Sequence, residues 1–332
     1  MTALFFVPVY DLAIEALPGK GLRISEDIFL CTDNSFKQRI FSKDLVQPIG
    51  TLEYDNLFEC PVFYQISEVF VENSNRYDLL HDFLLRCQSF LTALWEHKDN
   101  AADLQMGFVQ YPYTVQSPFI QSAPSIDNRF MITSNLTTAS NFNCRGKRVK
   151  TKFSREELEG VISFYKDSIL IPPAEKKSIG VNDAKTRQSR AHLFIQIARS
   201  QHDLALKISQ YCTVLECLFT TDSKELSHKV AERAALLIAS TSEEGIKIYY
   251  EVKEIYSVRS SVFHGSSISI KKRGELERIA VAADNIVRRA YKCIIMSPEL
   301  DKYYRTEKAE DLDKFFLGLL FQKTQAIDTV TT

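Results

Sequence analysis

The chain of 332 residues is long enough for two ordinary domains with real cores, and 45% hydrophobic against 25% charged residues is a globular balance that excludes a disordered or low-complexity protein. A formal net charge of −1 excludes a surface coated in positive charge for general nucleic-acid binding. Seven cysteines at 31, 60, 87, 144, 212, 217 and 293 make no Cys-x-x-Cys pair and no zinc-ligand spacing, the first eleven residues lack the pattern of a signal peptide, and no segment reaches the roughly 18 apolar residues of a membrane span, so the expectation is a reduced, metal-free cytoplasmic chain.

Strand signals dominate the first 75 residues. Leu4–Tyr10, Ile28–Thr32, Leu52–Leu57 and Val62–Val71 are short, rich in β-branched and aromatic residues, and separated by Pro, Gly, Asp and Asn. Asn75–His97 reads as a helix with Leu79, Leu80, Phe83, Leu84, Cys87, Phe90, Leu91 and Leu94 on one side. Met106–Leu136 returns to β character, and the polar, then basic, stretch 137–152 is the expected boundary between an α+β or mainly β domain over 1–150 and a helical domain over 151–332, an α+β chain overall.

Helical patterns fill the second half. Ser154-Arg-Glu-Glu157 is a capping box that opens a helix to Leu170, before Pro172-Pro173. Arg187–Phe219 carries an apolar stripe long enough for one central helix or two joined ones. Asp222-Ser-Lys-Glu225 signals another helix, to about Ser240, and Ser242–Phe263 forms the next. After an expected loop at Gly265–Gly274, Leu276 to Ile294 repeat at helical spacing up to Pro298, and Leu312 to Leu320 mark a last helix. Five or six amphipathic helices with short connections make a bundle.

The chemistry-bearing feature is Tyr256-Ser-Val-Arg259-Ser-Ser-Val-Phe-His264-Gly265. An Arg-x4-His spacing alone is weak, since Arg76 to His81 and Arg187 to His192 match it too. Arg76 and His81 read as ordinary surface chemistry at a helix start, and Arg187 and His192 lack a following glycine and a basic loop. Arg259 differs because Ile248, Val252, Ile255 and Val262 put it within an apolar helical stripe, where an unpaired guanidinium costs roughly several kcal/mol. Glu216, alone among the apolar Val214–Phe219, is the candidate partner. His264 stands about 140° round the helix from Arg259, and Gly265 suits a C-terminal cap that leaves the histidine at the frayed end.

These residues, with Lys207–Phe219 and Glu225–Leu237 before them, resemble the HEPN superfamily and within it the Apea-like branch, over roughly residues 187–296. Leu94-Trp95-Glu-His-Lys98-Asp99-Asn100 is similar to a Trp-x-x-Lys-Asp segment of bacterial proteins of like length. The resemblance implies a helical bundle that forms a homodimer and joins two Arg-x4-His motifs into one composite site. It also implies a metal-independent endoribonuclease without cofactor, of the kind found in toxin systems and phage defence. Ser260 departs from the larger polar residue frequent after the arginine in active members.

Histidine has an unperturbed pKa of about 6.5, suited to the proton transfers of RNA cleavage, and the arginine fork suits the phosphate. The reading therefore assigns His264 and Arg259 as catalytic, with a 2′,3′-cyclic phosphate and a 5′-hydroxyl as products. Glu216, Ser260, Tyr256, Arg233 and His228 are candidate supporting groups; Tyr256 either stacks on a base or packs. Residues 251–295 carry nine Lys/Arg against five acids, and Lys271, Lys272 and Arg273 begin a candidate phosphate track, with Arg145–Lys152 as a second basic run. The alternatives are solvated charge, an Arg259–Glu216 pair that only sets helix register, and a non-catalytic HEPN module that dimerises and binds nucleic acid or a partner protein. The first domain is expected to be a sensor for a phage-derived or small-molecule trigger. No G-x-S-x-G, Walker A, G-x-G-x-x-G or H-E-x-x-H is present.

Overall fold

The computed structural model describes residues 2–69, 71, 75–112, 123–124, 130–136, 140–167, 184, 186–222, 224–265, 270–305 and 308–328. The apolar run at the start becomes β1 (Ala3–Tyr10), the centre of an antiparallel sheet. The strands that follow it are β2 (Leu12–Ile14), β3 (Leu22–Arg23), β4 (Ile28–Cys31), β5 (Val62–Ser67), β6 (Asp103–Leu104), β7 (Met106–Pro112), β8 (Ala123–Pro124) and β9 (Phe130–Leu136). The sheet order is β3-β4-β5-β1-β7-β9-β8, with β6 pairing β1, while β2 pairs in parallel with β10 (Thr151–Phe153).

Alternation along β1 sends Phe5, Val7 and Val9 to one face and Phe6 to the other, and both faces are covered. On the first lie α4 (Arg76–His97) and α5 (Arg155–Asp167), whose Phe83, Leu84, Phe90, Val161 and Tyr165 share that core. On the second lie α1 (Asn34–Ile40), α2 (Val46–Ile49) and α3 (Thr51–Glu59), with Phe36, Phe41 and Leu57 against Phe6 and Tyr64. Gly107 on β7 lets α4 approach closely, because a Cβ there would stand 2.5 Å from Leu84 Cδ2.

The expected strand Leu52–Leu57 is therefore part of helix α3. Its packing residues Tyr54, Leu57 and Phe58 recur at three and four, the helical interval, which outweighs their β propensity. With five helices about its sheet among the described residues, the N-terminal unit is α+β, one of the two expected forms. The Ser154 capping box forms as expected, with Glu157 N–H donating to Ser154 Oγ at 3.1 Å and Ser154 N–H donating to Glu157 Oε2 at 2.8 Å. The expected stop at Pro172-Pro173 lies outside the described residues.

The segment that resembles a Trp-x-x-Lys-Asp motif closes α4. Trp95 and Asn100 are buried, Lys98 pairs with Glu157 at 2.8 Å, and Asn100 bonds the Lys98 carbonyl and the Ala102 N–H.

The chain divides into two units, but not at 150. Residues 142–147 belong with the helical unit, whereas the stretch from Arg148 through α5 belongs with the sheet. Phe142 N–H donates to the Arg199 carbonyl at 2.8 Å and Arg145 pairs with Glu277, whereas Arg148 pairs with Asp11 at 2.7 Å and Asp103 at 3.4 Å. Partners distant in sequence, rather than local composition, set this boundary.

The second unit is built of α6 (Arg187–Arg199), α7 (Leu204–Phe219), α8 (Leu226–Ile238), α9 (Ser242–Phe263), α10 (Ile270–Met296), α11 (Pro298–Arg305) and α12 (Ala309–Asp328). The stretch 187–219 breaks into two helices, the second capped by Asp203, whose Oδ1 accepts from Leu206 N–H at 2.9 Å. α7 is the central helix and packs against α6, α8, α9 and α10. The Asp222 cap does not form: Glu225 holds the N-cap position with φ of 50°, and Asp222 bonds Lys224 N–H and Lys229 Nζ instead. Among the described residues no helix is long and apolar enough to cross a membrane.

Candidate functional site

α9 starts at Thr241, whose hydroxyl accepts from Glu244 N–H, and buries Ile248, Val252, Ile255 and Val258 within the bundle. One residue beyond this stripe, Arg259 meets α7. Its Nη2 donates to Glu216 Oε2 at 3.3 Å, and the two side chains are 34% and 16% exposed. The guanidinium carbon lies 5.3 Å from the ring centroid of Phe263, one turn further along α9 and itself mostly exposed. The expected partnership of Glu216 and Arg259 is thus present.

Tyr256 comes one turn before Arg259. Burial pushes its hydroxyl pKa well up, followed by the neighbouring Cys212 and the Glu216 carboxylate. Burial likewise raises the Cys212 thiol. The hydroxyl is buried inside the bundle, while the residue as a whole is half-buried.

His264 closes the helix. Its N–H donates to the Ser260 carbonyl at 3.1 Å, Gly265 N–H donates to the Val262 carbonyl at 3.2 Å, and Gly265 has φ of 65°, the left-handed C-terminal cap expected of a glycine there. The imidazole is exposed and has no hydrogen-bond or ion-pair partner among the described residues. Ser260 is exposed on the same turn. The arrangement offers a cation held at its rim by a carboxylate and a solvated imidazole roughly 7.5 Å further along the axis.

Two proposed supporting groups lie elsewhere. Arg233 donates to the Phe219 carbonyl at 2.8 Å and to Thr221 Oγ1 at 3.2 Å, and pairs with Asp313, so it ties the end of α7 to α12. His228 Nδ1 is 2.8 Å from the hydroxyl of Tyr249, ten residues before Arg259 and hence roughly 15 Å up the helix.

The charge track is also revised. Lys271–Arg273 stand in the first turns of α10 rather than in a loop, because the helix begins at Ile270. Lys272 reaches Ser257, two residues before Arg259; Arg273 is exposed; the Lys271 side chain lies outside the described residues. Arg278 pairs with Glu254 and Glu275, Arg288 with Asp284, and Arg289 with Glu244. Arg145 and Lys147 face Glu277, Arg148 faces Asp11 and Asp103, and Lys152 faces Glu15, so the second basic run is largely neutralised.

The other Arg-x4-His matches are committed to structure. Arg187 donates to the Cys217 and Thr220 carbonyls, while His192 Nδ1 lies 3.1 Å from Tyr291 OH and is pushed down to about 4 by burial and then by Arg199. Arg76 is buried with its guanidinium over Tyr77, not at the surface as expected. Phe263 and Cys212 were not singled out from sequence, although each stands four residues from a chosen one, Phe263 from Arg259 and Cys212 from Glu216.

Comparison of the chain with protein-family models, with curated proteins and with solved structures gives no match.

Proposed function

We propose that the chain is a metal-independent endoribonuclease of HEPN type, from a toxin or phage-defence system, acting in the cytoplasm as a homodimer. The observation that carries this reading is the pairing of an accessible Arg259, held by Glu216, with an exposed His264 at a glycine cap on the same helix. His264 would take the proton of the RNA 2′-hydroxyl or give one to the leaving 5′-oxygen. Arg259 would hold the phosphorane, whose crowded negative charge suits a planar guanidinium. The RNA supplies its own nucleophile, so DNA resists. Lys271, Lys272 and Arg273 would guide the backbone toward this end of α9, and the N-terminal unit would take a phage-derived or small-molecule trigger.

One observation favours a second reading. The Arg259 guanidinium is already engaged by Glu216 and Phe263, as in a pair that only secures the bundle, which fits a non-catalytic module that dimerises and binds nucleic acid or a partner protein. Incubation with total RNA in EDTA separates the two. The enzyme reading expects fragments ending in 2′,3′-cyclic phosphate, with cleavage reduced about 10²- to 10⁴-fold in folded His264→Ala. Dependence on added metal, 3′-hydroxyl ends, or cleavage that survives His264→Ala would overturn it.

A further inference from the structure

Three buried polar atoms at the motif make no hydrogen bond among the described residues: Glu216 Oε1, the Tyr256 hydroxyl and Arg259 Nε. Buried polar groups are nearly always paired, so three together on neighbouring side chains ask for an explanation. Glu216 and Arg259 share a single bond of 3.3 Å, although a carboxylate accepts several and a guanidinium donates five. The Tyr256 hydroxyl lies close enough to the same carboxylate to be raised by it, yet outside hydrogen-bonding distance or angle.

Arg259 cannot serve both a phosphate and Glu216 at full strength. If the guanidinium turns outward, a mostly buried carboxylate is left behind, and stranding such a charge opposes the movement. A donor already in place would remove that opposition. On the ribonuclease reading above, on which this inference rests, we propose that Tyr256 is a positioning residue that takes over the Glu216 carboxylate when Arg259 leaves it for a phosphodiester. The raised pKa of Tyr256 keeps its proton available at every working pH. Phenylalanine would fill the same space without the donor.

The test is binding of a 2′-O-methyl RNA oligonucleotide, which cannot be cleaved because its nucleophile is blocked, followed by fluorescence anisotropy with full-length wild type, Tyr256→Phe, Glu216→Gln and the double variant. Tyr256→Phe is expected to weaken binding about tenfold, the scale of one hydrogen bond to a charged group. Its Tm should not fall, because the hydroxyl makes no hydrogen bond at rest. In the Glu216→Gln background the tyrosine change should have no further effect, since a neutral amide needs no replacement donor. Equal binding by wild type and Tyr256→Phe, a tenfold loss that persists in Glu216→Gln, or a fall in Tm in step with binding would each overturn the proposal. If Glu216→Gln does not fold, the Tyr256→Phe comparison of binding and Tm decides alone. Wild type that binds no RNA would overturn the ribonuclease reading and this inference with it, whereas intact wild-type binding unaffected by Tyr256→Phe overturns this inference only.

Discussion

Replacing Glu216 by glutamine leaves its shape and removes its charge, which isolates the electrostatic part of its hold on Arg259. At the 3.3 Å separation, the Coulomb attraction of two unit charges is about 1 kcal/mol in bulk water and about 5 kcal/mol at an effective dielectric of 20. Neither limit applies. Glu216 is largely enclosed but Arg259 is a third exposed, so solvent screening and the cost of desolvating both groups bring the expected coupling to about 1 kcal/mol. A cycle of Glu216→Gln, Arg259→Gln and the double variant measures it, because glutamine at 259 removes the positive charge that lysine would keep. The readout is hydrogen exchange of α7 and α9 amides, which reports on these two helices directly. Single effects that add to within about 0.3 kcal/mol would refute the reasoning and show that the pair is energetically idle.

Other perturbations follow from the same structure. Burial raises the Asp103 carboxyl from 3.8 to about 6, with Arg148 pulling the other way. Its contribution to stability is present below pH 3.8 and lost as pH rises through 6, so the difference between wild type and Asp103→Asn should change by about 3 kcal/mol over that window and stay flat above it. His192 has the opposite slope: with its folded pKa lowered from 6.5 to about 4, stability is present above pH 6.5 and lost as pH falls toward 4, by about 3 kcal/mol, and His192→Gln should abolish that loss in acid unfolding curves. Gly265→Ala should cost about 1 kcal/mol through its positive φ and fray the last turn of α9, seen as faster amide exchange at His264; unchanged protection there would contradict the cap. Light scattering of the full chain should give twice the monomer mass at micromolar concentration, and a well-folded monomer would count against the composite site.

The parts legible in the sequence were those where one residue type conflicts with its pattern. Ionisable Glu216 and Arg259 interrupt apolar stripes, and such groups need partners, so their meeting followed from the pattern. Ser154 with Glu157, and Gly265 after a long helix, carry backbone chemistry that acts within a few residues, and both formed as read. The illegible parts depend on where elements sit in space. Arg233 and His228 were assigned to the right helix, but periodicity does not give height, and one ties α7 to α12 while the other meets Tyr249. The basic run 145–152 has the composition of a linker, yet Asp11, Asp103 and Glu277 neutralise much of it from positions far away in the chain. Leu52–Leu57 reads as a strand by propensity and forms a helix by the spacing of Tyr54, Leu57 and Phe58.

That limit bears on the motif itself. Residues five apart on one helix diverge by about 140°, and the closed last turn, with His264 N–H on the Ser260 carbonyl, keeps that divergence up to the histidine. For one phosphate to meet both groups, either that turn must unwind or the histidine of a second copy must approach Arg259. Unwinding would break the 3.1 Å cap bond and draw the chain out of a conformation that Gly265 favours. A second copy would require neither, and it would present the side chain that already stands in solvent. The exposed His264 beside the exposed Phe263 is therefore the place where contact between copies has the most chemical consequence. His264→Ala and Arg259→Ala proteins, each inactive alone, should regain activity when mixed if one site draws its arginine from one chain and its histidine from the other, because a quarter to a half of the interfaces would then pair intact groups. Failure of the mixture, with exchange of subunits verified by mass, would place both groups of each site in a single chain.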